Sequence, residues 1–291
     1  MANSEVQPAA GREPVLSEPV LSISEATVGF GDRTLWRGLD LQLHSGELMA
    51  VLGANGSGKS SLLKVILGQL RLRSGSATFL GTSVRRGDRR IGYIPQQRLA
   101  EDGLPLRGRD LVALGIDGHR WGIPLPSRRR RQQTDRLLSS VGAEAYGNAR
   151  ISTLSGGEQQ RLRVAQALAA SPKLLLCDEP LLSLDLAYQA LVSELVDEAR
   201  RRLGLGVLFV THDINPILDK VDRVLYIANK TFRLGRPGEV LRSDVLSDLY
   251  DAPVEVIRHR GRVLVVGVPD HDPYHHPGER STDDAAGSVG R

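Results

Sequence analysis

The chain has 291 residues, 41% of them hydrophobic and 25% charged, enough apolar material to bury the core of one large domain or two lobes. Its 38 Lys and Arg against 34 Asp and Glu leave a net charge of only +4, and aromatic residues make up 4%, so neither a strongly basic face nor a platform for stacking bases is supplied and nucleic acid is not an expected partner. The single cysteine, Cys177, excludes an intramolecular disulfide and fits a reducing compartment, and no apolar run approaches the roughly 20 residues of a membrane span.

In chain order, residues 1–18 are rich in Ala, Pro, Glu and Ser and read as disordered, without the basic start and apolar segment of a secretory signal. The folded part is expected over 19–269. Alternating apolar and polar residues predict strands at 20–30 (VLSISEATVGF), 39–46 (LDLQLHSG), 76–80 (SATFL) and 91–94 (IGYI), which together suggest an antiparallel sheet beside the core. Short continuous apolar runs at 48–53 (LMAVLG), 174–177 (LLLC) and 206–211 (GVLFVT) read as buried parallel strands. Between them, 107–170 carries almost no strand signal and three helical segments, near 108–115, 127–141 and 156–170, expected to form an inserted helical lobe. The polar segment 270–291 reads as a disordered tail, and the whole is α/β.

The apolar run at 48–53 leads into Gly53-Ala-Asn55-Gly56-Ser57-Gly58-Lys59-Ser60, and a helical pattern, SSLLKVILGQL, follows from Ser60. This is G-x-x-x-x-G-K-[ST] in its proper context of strand, loop and helix. The glycines let backbone amides turn toward phosphates, and the helix presents its positive end to them. Lys59 is expected on the β- and γ-phosphates and Ser60 on Mg²⁺, which predicts ATP binding and hydrolysis.

The run at 174–177 ends in Asp178 and Glu179. A buried strand can place Asp178 beside the phosphate loop to hold Mg²⁺, and Glu179 where a carboxylate orients or deprotonates the attacking water. His212 follows the strand 206–211, at an end that opens on the ligand crevice of an α/β sheet. Leu154-Ser155-Gly156-Gly157-Glu158 precedes another helix, and Ser-Gly-Gly at a helix start is either a second anion site or a simple cap.

In this order, the phosphate loop, Ser155-Gly156-Gly157, Asp178-Glu179, Ser183-Leu184-Asp185 and His212 closely resemble the ATP-binding-cassette (ABC) ATPases over about residues 20–242. The resemblance implies a P-loop NTPase core, a parallel sheet with helices, joined by an antiparallel β subdomain and a helical subdomain at about 97–170. It implies an ABC ATPase domain over 19–242 and a C-terminal helix and hairpin over 243–269. Gln96 resembles the glutamine that contacts Mg²⁺ and links core to helical lobe, and Phe30 stands where the family places a ring against adenine. Asn55, Ser57, Ser61 and Asp185 complete the implied nucleotide contacts. Glu158 replaces the commoner Gln, and Leu181-Leu182 stands where Thr is frequent; neither change removes a catalytic group.

The family pairs head to tail, Ser155, Gly156 and Gly157 of one copy closing over ATP held by the other, so a homodimer is expected. Three classes stay open: a transporter's ATPase subunit, a soluble ABC ATPase for an assembly pathway such as iron–sulfur cluster building, and a nucleic-acid-associated ABC protein. The last usually carries two cassettes or large insertions, absent here. The segments 104–115 and 225–267 resemble the zinc and manganese importers, down to Gly235, Pro237, Val240-Leu241, Leu249-Tyr250 and strands at 254–257 and 262–266. This implies a separate membrane permease, an extracytoplasmic solute-binding protein, and a place on the inner face of the cell membrane. The arginines at 128–131 read as a solvated helix face, and the histidines at 270–276 as part of an unstructured polar tail rather than a zinc site.

Overall fold

Every residue of Leu48–Leu52 is buried, as a five-residue apolar run must be when a strand is covered on both faces. The computed structural model describes residues 18–96, 106–118 and 127–267. In chain order these form β1 (Leu21–Phe30), β2 (Arg33–Leu43), β3 (Leu48–Leu52), α1 (Lys59–Ile66), β4 (Ser74–Phe79), β5 (Thr82–Ser83) and β6 (Ile91–Ile94). The helices α2 (Gly108–Asp117), α3 (Arg128–Ser140) and α4 (Gly156–Leu168) follow, then β7 (Leu174–Asp178), α5 (Leu186–Leu203), β8 (Gly206–Val210), β9 (Arg223–Ala228) and β10 (Thr231–Gly235). The described chain ends with α6 (Pro237–Val240), α7 (Ser243–Tyr250), β11 (Glu255–His259) and β12 (Arg262–Val266).

The central sheet runs β10-β9-β3-β8-β7-β6, parallel except for the edge strand β10. The alternation of β3 divides the core. Leu48, Ala50 and Leu52 face a cluster that includes Leu162 of α4, Val196 of α5 and Leu249 of α7, whereas Met49 and Val51 face Leu62 of α1 and Trp36 of β2. The second face is closed by an antiparallel sheet ordered β2-β1-β4-β5. The result is an α/β sandwich in which the loops after β3, β7 and β8 leave the same, C-terminal, end of the sheet.

One strand expectation is corrected. Residues 91–94 lie not in the antiparallel sheet but at the edge of the central one, parallel to β7 with Ile94 opposite Cys177. An edge strand is half covered, so it alternates like an antiparallel one. Gly92 is needed there because a Cβ would come within 2.7 Å of the Ala167 carbonyl of α4. β9 and β10 complete the sheet but are not among the core strands predicted above.

The three expected helices of the lobe are present as α2, α3 and α4, packed through Leu111, Leu138 and Leu162. Of the arginines at 128–131, Arg130 pairs with Asp117 at 2.7 Å and the other three are exposed. The histidine-containing segment 270–276 and the termini at 1–17 and 268–291 lie outside the described residues, as do 97–105.

Candidate active site

The phosphate loop follows β3 and opens α1, and its backbone can be followed only by glycine at two points. Gly53 has φ +142°, and a Cβ there would sit 2.1 Å from the Ile227 carbonyl of β9. Gly58 has φ +104°, and its Cβ would meet the Trp36 indole nitrogen at 2.7 Å. The loop is thus pressed against β9 on one side and β2 on the other, which holds its amides in a fixed arc.

Lys59 is buried and folds back over this arc, its Nζ donating to the Gly53 carbonyl at 2.6 Å and the Ala54 carbonyl at 2.9 Å. Burial lowers its pKa, and the nearby carboxylates of Glu179 and Asp178 oppose that shift. Asn55, Gly56, Gly58, Lys59, Ser60 and Ser61 share an open cleft of about 450 Å³ with Phe30, Gln96 and Glu179. Phe30, at the tip of the β1–β2 hairpin, is half exposed, the position a ring needs to stack on a planar base.

Asp178 ends β7 and is buried. Its Oδ2 accepts a hydrogen bond from the Tyr93 hydroxyl of β6 at 3.2 Å, while its Oδ1 is buried with no partner among the described residues. Burial raises its pKa, and the Tyr93 hydrogen bond and Lys59 partly counter this. The Tyr93 hydroxyl itself is pushed up to about 12, first by burial and then by the charge of Asp178. A buried carboxylate oxygen with no donor suits a hard divalent cation. Among the described residues no group of three or more His, Cys, Asp or Glu is arranged to hold a metal. Asp178 would suit a divalent cation that is also held by a phosphate.

Glu179 adopts φ +46°, a left-handed conformation that is uncommon for Glu and that turns the chain sharply after β7. Its Oε2 lies 3.3 Å from His212 Nδ1, and the His212 ring is more than half exposed. The turn carrying His212 is fixed by its neighbours: Thr211 Oγ1 donates to the Asp213 carbonyl at 2.7 Å, and Asn215 N–H donates to Asp213 Oδ1 at 2.9 Å.

Ser155, Gly156, Gly157 and Glu158 are not among the residues lining the cleft. They begin α4 as a reciprocal cap, the Ser155 amide donating to Glu158 Oε2 at 2.8 Å and the Glu158 amide to Ser155 Oγ at 3.3 Å. Gly157 has to be glycine, because a Cβ would overlap the Tyr188 ring at 2.1 Å. Tyr188 in turn donates its amide to Asp185 Oδ1 at 2.9 Å and packs on Gly157, so the Ser-Gly-Gly turn and Asp185 lie together, and neither lines the phosphate-loop cleft.

Three neighbours of this site escape sequence reasoning. Arg33 and Leu35 line the cleft and Tyr93 holds Asp178. Only the register of β2 against β1 and of β6 against β7 brings them there, and no motif spacing encodes either.

The ABC transporter family matches residues 36–182, half of the chain. The manganese transport system ATP-binding protein MntB of Halalkalibacterium halodurans is 28% identical over 250 residues, covering 86% of this chain and 99% of that protein. A protein of Chlamydia trachomatis described as "Probable metal transport system ATP-binding protein" is 30% identical over 236 residues, 81% of this chain and 91% of its own. Among solved structures, a chain of an ABC transporter in an inward-facing conformation superposes with a TM-score of 0.73 at 26% identity, over 86% of this chain and 96% of that one. Sequence motifs, fold and relatives agree: the chain belongs to the ABC transporter family, as an ATP-binding subunit that hydrolyses ATP.

Proposed function

We propose that this subunit powers import of a transition-metal ion, zinc or manganese, through a separate membrane permease, and that it works as a head-to-tail pair of identical copies. The observation that supports the pairing is that Ser155, Gly156, Gly157 and Asp185 do not line the cleft formed by the phosphate loop. Two sets of phosphate-binding groups lie apart in one chain, and a second copy supplies the missing half of each site. The relatives named for manganese and metal transport support the choice of cargo over an assembly role. Among the described residues no helix is long and apolar enough to cross a membrane, in keeping with attachment to the inner face of the cell membrane through the permease.

Within one site, the loop amides and Lys59 bind the β- and γ-phosphates, and Phe30 stacks on adenine. Ser60, Gln96 and Asp178 are the residues that would hold Mg²⁺, which when bound neutralises charge building on the phosphate oxygens. Glu179 accepts the proton of the attacking water, and His212 keeps that water and the Glu179 carboxylate aligned on the γ-phosphate. Gln96 then senses the γ-phosphate and passes its loss to the helical lobe, whose α4 holds the same segment through Arg163 Nη1 donating to the Pro95 carbonyl at 2.9 Å.

The test is reconstitution with its permease and solute-binding protein in vesicles. Uptake of Mn²⁺ or Zn²⁺ that requires ATP is expected, and an ATPase that co-purifies with no permease and drives uptake of neither ion would contradict the proposal.

A further inference from the structure

The C-terminal helix α7 and hairpin β11–β12 lie outside the matched family segment, yet they touch the ATP site at two separate points. At the first, the Tyr250 hydroxyl, at the end of α7, lies beside the Ala54 amide of the phosphate loop and 3.2 Å from the Tyr226 hydroxyl of β9. The two rings meet edge to face with centroids 6.0 Å apart, and the Tyr250 carbonyl accepts from Asn229 Nδ2 at 2.6 Å. Tyr250 is buried and pinned from three sides, so it can hold the loop rather than follow it. Ala54 is also one of the two carbonyls gripped by Lys59.

At the second point, Asn215 forms a pair of hydrogen bonds with the backbone of Val263 in β12. Its Nδ2 donates to the Val263 carbonyl at 3.0 Å, and its Oδ1 accepts from the Val263 amide at 2.8 Å. The same Nδ2 donates to Asp213 Oδ1 at 2.7 Å, and Asp213 is bonded to Thr211 on the other side of His212. An asparagine that mimics a strand partner in this way ties the His212 turn to the hairpin with no freedom to slide.

We infer that the C-terminal helix and hairpin act as a brace for ATP hydrolysis, with Tyr250 a positioning residue for the phosphate loop and Asn215 a positioning residue for His212. The two contacts act on different steps. Tyr250 sets the loop that binds the phosphates and bears on nucleotide affinity. Asn215 sets the ring beside Glu179 and bears on turnover; this arm rests on the role proposed above for His212.

The experiment uses the full chain, or the full chain with its permease, and measures KM for ATP, kcat and the thermal midpoint for Tyr250→Phe, Asn215→Ala and His212→Ala. Loss of one positioning contact, worth about as much as a hydrogen bond, predicts about a fivefold rise in KM for Tyr250→Phe with kcat within twofold, and about a fivefold fall in kcat for Asn215→Ala with KM within twofold. Restoring hydrogen-bonding capacity with Asn215→Gln recovers part of that kcat. Equal effects of both variants on KM and kcat, following a drop in thermal midpoint, would mean that the hairpin serves folding alone and would overturn the inference. Turnover lost in His212→Ala but intact in Asn215→Ala overturns the Asn215 arm, whereas turnover intact in His212→Ala contradicts the role of His212 and leaves the Tyr250 arm to its own KM.

Discussion

The Tyr93 hydroxyl donates to Asp178 Oδ2 at 3.2 Å and leaves Asp178 Oδ1 buried with no donor among the described residues, so one oxygen of the carboxylate is anchored and the other is offered. Tyr93→Phe removes the anchor, and the freed carboxylate samples more orientations. The Mg²⁺ concentration for half-maximal ATPase activity is expected to rise by about threefold to tenfold, the scale of one hydrogen bond to a charged group, with the ATP-saturated rate at high Mg²⁺ little changed. A Mg²⁺ titration of ATPase activity checks this, and an unchanged midpoint would show that Tyr93 has no hold on the metal site.

Asp178 also sets a conflict between stability and activity. Burial raises its pKa above that of the unfolded chain. The folded protein therefore holds the proton more tightly than the unfolded one, and the stability associated with this group falls as pH rises from the unfolded pKa through the folded one. Above that window the penalty is complete. In nucleotide-free, metal-free protein at pH 7.5 (about three units above the ordinary carboxylate range), Asp178→Asn is expected to raise the thermal midpoint while abolishing ATPase activity. The gain in midpoint should shrink as pH is lowered toward the carboxylate range. Calorimetry across pH decides it.

Glu158 puts a carboxylate at the start of α4, where the family commonly has a neutral glutamine, and its Oε2 accepts from both the amide and, at 2.9 Å, the hydroxyl of Ser155. The negative charge stabilises the free helix end but opposes a phosphate arriving at the same amides. Glu158→Gln should lower the ATP concentration for formation of the proposed dimer by roughly twofold to fivefold, on the scale of one charge at a helix terminus. Light scattering with ATP in a hydrolysis-deficient background measures it, and weaker dimerisation would argue against an anion site at Ser155.

The glycines of the phosphate loop are not equivalent to other left-handed glycines. Gly31 has φ +48° with open space around it, so Gly31→Ala meets only backbone strain, about 1 kcal/mol. Gly53→Ala adds a clash at 2.1 Å with a backbone carbonyl of a central strand. It is expected to cost roughly 3 kcal/mol or more in urea unfolding, or to prevent folding.

These contrasts show where sequence carries the structure. The runs at 48–53, 174–177 and 206–211 announce β3, β7 and β8 because a strand covered on both faces must be apolar throughout. The helical segment near 156–170 is observed as Gly156–Leu168, since Ser155 and Glu158 form the cap that their spacing describes. Residues 91–94 are misassigned because Ile, Gly, Tyr and Ile alternate in burial at the edge of a parallel sheet as they would in an antiparallel one. The cleft residues Asn55, Gly56, Gly58, Lys59, Ser60 and Ser61, with Glu179, are local to motifs and legible. The contacts of Tyr93 with Asp178 and of Asn215 with Val263 join segments 85 and 48 residues apart, and sheet order and hairpin packing alone bring them together.

The central claim is that Glu179, turned toward His212 at the end of β7, is the base for ATP hydrolysis. The most direct measurement compares Glu179→Gln with the unaltered chain for both ATP affinity and turnover. Glutamine keeps the shape and removes the proton acceptor, so ATP should bind with affinity within a few-fold of the original and stabilise the proposed dimer, while turnover falls by about 10²–10⁴-fold, the range for loss of a general base. Hydrolysis by Glu179→Gln at the original rate would contradict the account.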